Sequence, residues 1–326
     1  MRNLQIGIVL VILSLILGLA CEKNGEEQAG ADMIEQLRML PRDVNLLAYV
    51  SVEKNRNSDV AQMFIDSLDQ HPFRDREYQE FLDSTNFDIH KDINEFYVAG
   101  KFGKHHEEAG IIVVFGNFES EKIMDYIKLK NHDDDLILEN YENLEVYHLN
   151  DMSSDKDKVF CFVDGNRLVA GSEAYVKSWI DFSLGEKKPE ELSPEVMERV
   201  QHLKFKNDGW AIILAESAVE NMMMHSDVTN LDGLKDVKYL NMSFRLSDRV
   251  EFCGELECSN PEKASLFRDT IKGAVSTAKL SVSDDRSAVD VLNKIDISLN
   301  ANRVEIDFRM SKQDIEKLMN KRGVLL

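Results

Sequence analysis

The chain lacks every short signature of common enzyme chemistry. No phosphate loop, no GxGxxG after a strand, no GxSxG and no HExxH occurs in its 326 residues. Serine hydrolysis needs a serine on a strained elbow with histidine in reach, and Gly171-Ser172-Glu173 instead closes a strand and opens a helix, so Ser172 reads as its cap. Positive charge is also short: 39 Lys and Arg stand against 59 Asp and Glu, a formal net charge of −20. Such a surface repels phosphate backbones, which excludes nucleic acid as a partner. Cysteine is scarce too, with four residues at 21, 161, 253 and 258.

What is present begins with an apolar run from Leu4 to Ala20, preceded by Arg2 and followed by Cys21 and the polar stretch EKNGEEQAGAD. A basic start, an apolar centre and a small-residue exit describe a signal peptide. Crossing a hydrocarbon core takes about 20 apolar residues, so the run sits at the lower limit for an uncleaved anchor. Leu17-Gly18-Leu19-Ala20-Cys21 resembles the lipobox of bacterial lipoproteins, although Gly18 stands where that family prefers leucine. The resemblance implies cleavage before Cys21, lipidation of its thiol and attachment to a membrane through several acyl chains. Glu22, where the inner-membrane retention signal of enteric bacteria has aspartate, favours the outer membrane by the same resemblance. Residues 1–20 are thus expected to be a signal peptide and 21–37 a flexible tether.

The rest, with 43% hydrophobic residues overall, is ample for two domains. One order of elements is written twice. LLAYVSV (46–52) reads as a strand, followed by a helix capped by Ser58, a hairpin over EFYVAGKF (95–102) and GIIVVFGNF (110–118), and a helix from Glu119. LEVYHL (144–149), VFCFVD (159–164) and RLVAGS (167–172) follow as strands before a helix through Trp179. The second half restates this with a helix start at Ser193-Pro194-Glu195, the strand WAIILAE (210–216) and the hairpin VKYLNMSFRL with RVEFCGELEC. A helix from Asn260-Pro261-Glu262 and the hairpin IDISLNANRVEIDFRM (295–310) complete it. The expected fold is α+β: two tandem, duplicated units over 38–190 and 191–326, mainly antiparallel, with helices packed on one face.

LPRDVNLLAYVSV, TNFDIHKDINEFYVAG, GNFESEKI, YENLEVYHL and CFVDGNRLVAGSEAYVKSWID together resemble exported bacterial proteins built of α+β repeats whose domain has no assigned function. That likeness implies export and fold and brings no activity with it.

Candidate ligand residues are few. His105, His106, Glu107 and Glu108 gather in a hairpin loop and His132, Asp133, Asp134 and Asp135 in a helix-to-strand loop, the alternative in each case being a solvated loop without ordered ligand spacing. Met222, Met223, Met224 and His225 carry copper-type ligands, yet consecutive residues diverge in direction and methionine commonly fills cores. No cofactor is implied. Cys161 and Cys258 read as buried thiols, with a bridge between Cys161 and either Cys253 or Cys258 as the alternative in an oxidising compartment. Cys253 and Cys258 cannot bridge each other, because five residues along a strand they face opposite ways. The expected function is a lipid-anchored envelope protein, outside the cytoplasm, that binds another envelope component or supports structure. An envelope hydrolase, or a carrier of a hydrophobic small molecule between the two halves, is the alternative.

Overall fold

The computed structural model describes residues 30–63, 76–101, 109–130, 136–149, 158–215 and 235–322. The chain divides into two compact units: the first comprises 28–56 with 64–201, and the second 57–63 with 202–326. Both are α+β and antiparallel throughout their described strand pairs.

The first unit opens with α1 (Ala31–Met39), then β1 (Leu46–Ser51), α2 (Val52–Arg56), α3 (Arg76–Thr85) and α4 (Ile89–Asp92). The hairpin β2 (Ile93–Lys101) and β3 (Ala109–Gly116) leads to α5 (Ser120–Lys130). β4 (Leu136–Tyr141), β5 (Leu144–Leu149), β6 (Lys158–Asp164) and β7 (Arg167–Ser172) precede α6 (Glu173–Ser183) and α7 (Pro194–His202). Its strands lie in the order β1-β2-β3-β7-β6-β5-β4.

The register aligns Tyr49, Tyr97, Val113, Val169 and Cys161 in one row across five strands. None of the five is more than 4% exposed. α6 packs against β3, β6 and β7 on this face, burying Val176, Trp179 and Ile180. The opposite face carries Val114, Phe160 and Phe162, and packs against Ile123, Met124 and Ile127 of α5 and Phe81 of α3. Helices therefore cover both faces here, correcting the expectation of cover on one. The reason lies in IIVVF and VFCFV, which are apolar at both strand parities and leave two faces to be removed from water.

The tether expected over 21–37 is also corrected, because α1 begins at Ala31 and buries Met33, Leu37 and Met39. Met33 and Leu37 stand four apart, on one face of a helix. Ser58 caps as expected, its Oγ accepting from the Ala61 N–H at 2.9 Å. Its segment belongs to the second unit rather than to 38–190, with Asp59 and Lys312 ion-paired at 2.7 Å. The boundary falls near 202 rather than 191.

The second unit contains β8 (Gly209–Leu214), β9 (Val237–Leu246), β10 (Arg249–Cys258), α8 (Pro261–Ser281), α9 (Arg286–Leu292), β11 (Asp296–Asn300), β12 (Arg303–Ser311) and α10 (Lys312–Arg322). Asn260 accepts from the Lys263 N–H at 3.0 Å and Pro261 needs no donor partner, so α8 starts where the sequence says. Its Ala264, Phe267, Ile271 and Val275 pack on Cys258, Ile297 and Val304. The other parity of β10 and β12 carries Glu255, Glu257, Glu305 and Asp307.

Strand order here is β8-β9-β10-β12-β11, which repeats β1-β2-β3-β7-β6 step for step. A shared clasp accompanies it. In the first unit the Gly116 N–H donates to the Asn166 carbonyl at 2.9 Å, and the Asn166 Nδ2 donates to the Gly116 carbonyl at 3.0 Å. In the second, Cys258 N–H to Asn302 carbonyl is 2.9 Å, and Asn302 Nδ2 to Cys258 carbonyl is 3.0 Å. Each asparagine sits in a hairpin turn and ties it to the last residue of the neighbouring strand. Asn166→Ala and Asn302→Ala are each expected to cost about 1–2 kcal/mol, since each leaves a strand-end carbonyl without its side-chain donor. Urea melts of the two variants check this, and a cost confined to one unit would break the equivalence.

Candidate functional site

A compact group of ionisable side chains lies where the β4–β5 hairpin, which has no counterpart among the described residues of the second unit, meets α6. Glu139 on β4 and Glu173 on α6 both accept from the Lys177 ammonium, at 2.8 and 2.6 Å. His148 Nε2 lies 2.9 Å from the second Glu139 oxygen. Lys177 also stands 5.0 Å over the Tyr141 ring, and the Tyr141 hydroxyl donates to Asp181 at 2.8 Å. Asp181, 4% exposed, is charge-balanced by Lys187 at 2.5 Å.

Hydrogen bonds from Lys177 and then His148 hold the Glu139 carboxyl below its usual range. Partial burial works against the Lys177 charge, but its bonds to Glu139 and Glu173 outweigh that and hold its pKa up. The bond to Asp181, with partial burial, pushes Tyr141 up to about 12.

Ligand atoms of Glu139, His148 and Glu173 all fall within 4.8 Å of one another, and a nitrogen with two carboxylates would suit zinc by donor type. The Lys177 ammonium, however, already fills the cation's place between the two carboxylates. The cluster is an ion-pair network that fastens the hairpin to the helix. Its strand and helix members are more than twenty residues apart in sequence, and only the alternation of β4 and β5 hints that Glu139, Tyr141 and His148 share a face.

The second feature is a recess of about 560 Å³ in the second unit, lined by Arg249, Lys294, Arg309, Asp248, Asp296 and Asp307 with Ser311 and Phe308. Arg249 pairs with Asp248 at 3.2 Å and Asp307 with Lys204 at 3.3 Å. Lys294 pairs with Asp314. Nothing in the sequence marked this group, which becomes one place only through the register of β10, β11 and β12.

Other sequence candidates separate as follows. Cys21, His105, His106, Glu107 and Glu108 lie outside the described residues, as do His132, Asp133, Asp134, Asp135 and Met222 to His225. Cys161, Cys253 and Cys258 are free thiols, so the alternative bridge from Cys161 is not formed. Burial, with a contribution from Glu145, pushes the Cys161 thiol up to about 11, and burial also raises Cys258. A thiol so protonated is a poor nucleophile. Ser172 stands at the start of α6, but its hydroxyl does not cap that helix and instead accepts from the Gly110 N–H at 3.1 Å. No helix among the described residues is long and apolar enough to cross a membrane.

The site and sheet geometry thus define an α+β protein with two antiparallel units. No family model matches the chain, and no curated protein matches it. A solved structure of TP0453, in its crystal form I, is similar over 92% of this chain and 99% of its own, at 9% identity and a TM-score of 0.43.

Proposed function

We propose that this chain is a bacterial lipoprotein of the cell envelope. It is cleaved before Cys21, held to a membrane by acyl chains on that residue, and carries outside the cytoplasm a body made of two copies of one α+β unit. The body binds another envelope component. The observation that carries this reading is the run Leu17-Gly18-Leu19-Ala20-Cys21, placed after a charge-free segment and before polar chain.

Two features support the duplicated binding body. The strand order and the asparagine clasp recur in both units. In the described ionisable cluster, Glu139 and Glu173 are both held by the Lys177 ammonium, as a structural fastening requires.

Membrane fractionation with intact-mass analysis of wild type and Cys21→Ser, expressed in a bacterial host, tests the anchor. Wild type is expected in the membrane fraction with an acylated Cys21 at its start, and the variant is expected to lose that mass and leave the membrane. Retention of residues 1–20 by both proteins, with both still membrane-bound, would replace the lipid anchor by a helical one.

A further inference from the structure

We propose that β4 is a pairing edge, through which two copies of this chain associate as a two-fold dimer with one antiparallel sheet running through both first units. The inference is independent of the lipid anchor and of what else the body binds.

Among the described residues β4 ends the strand order of the first unit and pairs with β5 alone. An end strand presents a row of unpaired N–H and C=O groups, and folds commonly blunt such an edge with a charge, a proline, a bulge or a short strand. The outermost strand of the second unit, β11, is blunted in this way. It has five residues, begins at exposed Asp296 and has α8 packed against it. β4 is not. LILENY contains neither lysine nor proline, and its six residues pair with Leu144 to Leu149 in unbroken register.

The pattern of exposure fits a strand alongside β4 rather than a layer over it. Ile137 is 55% exposed and Leu138 is 48% exposed, and the two side chains point to opposite faces of the sheet. A layer packed on the sheet would cover one of them, whereas a further strand flanks both.

The strand that suits β4 is its own copy. A two-fold axis perpendicular to the sheet at Leu138 sets Leu138 opposite Leu138, Ile137 opposite Glu139 and Leu136 opposite Asn140, with each pair on one face as an antiparallel ladder requires. Leu138 already lies opposite Tyr147 of β5, so an uncharged row of Tyr147, Leu138, Leu138 and Tyr147 crosses the interface. Charge is what opposes the association of two chains of formal net charge −20. The one charged residue of β4 is Glu139, whose carboxylate accepts from Lys177 at 2.8 Å and lies 2.9 Å from His148. In this register it meets Ile137 rather than a second carboxylate. Joining β4 of one copy to β11 of another would instead be head-to-tail and open-ended, while the two-fold pairing closes on itself.

Sedimentation equilibrium of the full chain in nonionic detergent, over a concentration series, tests the proposal. The variants are Leu138→Lys, Leu138→Glu, an equal mixture of the two, and Leu266→Lys as a control at an exposed leucine of α8. Wild type is expected to form a weak, reversible dimer and nothing larger. Leu138→Lys and Leu138→Glu each place like charges across the axis and are expected to weaken the dimer about tenfold or more, equivalent to about 1.4 kcal/mol. Their mixture is expected to regain it, because lysine then faces glutamate, a recovery that a folding defect would not give. Leu266→Lys is expected to leave it unchanged. A wild type that stays monomeric up to about 0.5 mM overturns the proposal. So does a dimer that both Leu138 variants leave intact, or a mixture that recovers nothing. Equal weakening by Leu266→Lys would replace edge pairing by general apolar contact, and species larger than a dimer would replace the closed pair by an open chain.

Discussion

Replacing Gly171 by alanine is expected to destabilise the first unit by about 2–5 kcal/mol, combining the backbone penalty and the steric conflict. Gly171 has φ of +148°, a region that residues with a Cβ rarely adopt. A Cβ built there would meet the Gly110 carbonyl oxygen at 2.1 Å and the Ile111 Cα at 2.8 Å. Both are backbone atoms of β3, directly across the β3–β7 ladder, so relief requires strands to part rather than a side chain to turn. Gly185 is the natural control. Its φ is +78° and nothing lies within 4 Å of an added Cβ, so Gly185→Ala should cost only the backbone penalty, about 1–2 kcal/mol. Chemical denaturation of both variants separates close approach from backbone strain. Equal midpoints would mean that the β3–β7 contact at Gly171 yields freely.

The sequence marks Gly171 only as a glycine late in a strand, and much of the fold was legible at that level. The hairpins at 95–118, 237–258 and 295–310 were readable because alternating apolar residues flank polar turns, and α8 because Asn260-Pro261 is a cap followed by a helix-compatible residue. β4 is not legible in sequence, because LILENY lacks strict alternation and reads equally as the end of a loop; its strand state comes from pairing with β5. α1 reads as part of the polar tether in sequence because Asp32, Glu35 and Arg38 interrupt its packing residues Met33, Leu37 and Met39. The signal for helices on both faces of the first unit was present in IIVVF and VFCFV, where parity fails. The network at Glu139, His148, Glu173 and Lys177 could not be found the same way. Its Glu173–Lys177 pair follows from i,i+4 spacing on one helix, but the contacts of Glu139 and His148 with that pair depend on which face of β4 meets α6, a tertiary fact that no local spacing encodes. The recess is similar, since Arg249, Asp296 and Arg309 come from three strands and meet through register alone.

The two tryptophans offer the second large effect and a sharper comparison. Trp179, 1% exposed on α6, and Trp210, 2% exposed on β8, anchor the cores of different units. Truncation of either to alanine should cost about 3–5 kcal/mol through lost burial and the cavity left behind. Phenylalanine should distinguish them. The Trp210 Nε1–H donates to the Lys206 carbonyl at 3.0 Å, whereas the Trp179 Nε1–H is buried without a hydrogen-bond partner among the described residues. Trp210→Phe loses ring area and a hydrogen bond together. Trp179→Phe loses ring area but removes a donor whose burial already costs about 1–3 kcal/mol, so part of its loss is returned. The alanine variants should therefore be alike while Trp179→Phe is milder than Trp210→Phe by about 1 kcal/mol or more. Denaturation followed by far-ultraviolet circular dichroism, which reports the strands and helices of both units, reads this directly. A Trp179→Phe variant as costly as Trp210→Phe would mean that the Trp179 N–H finds a partner in solution, with bound water as the simplest one.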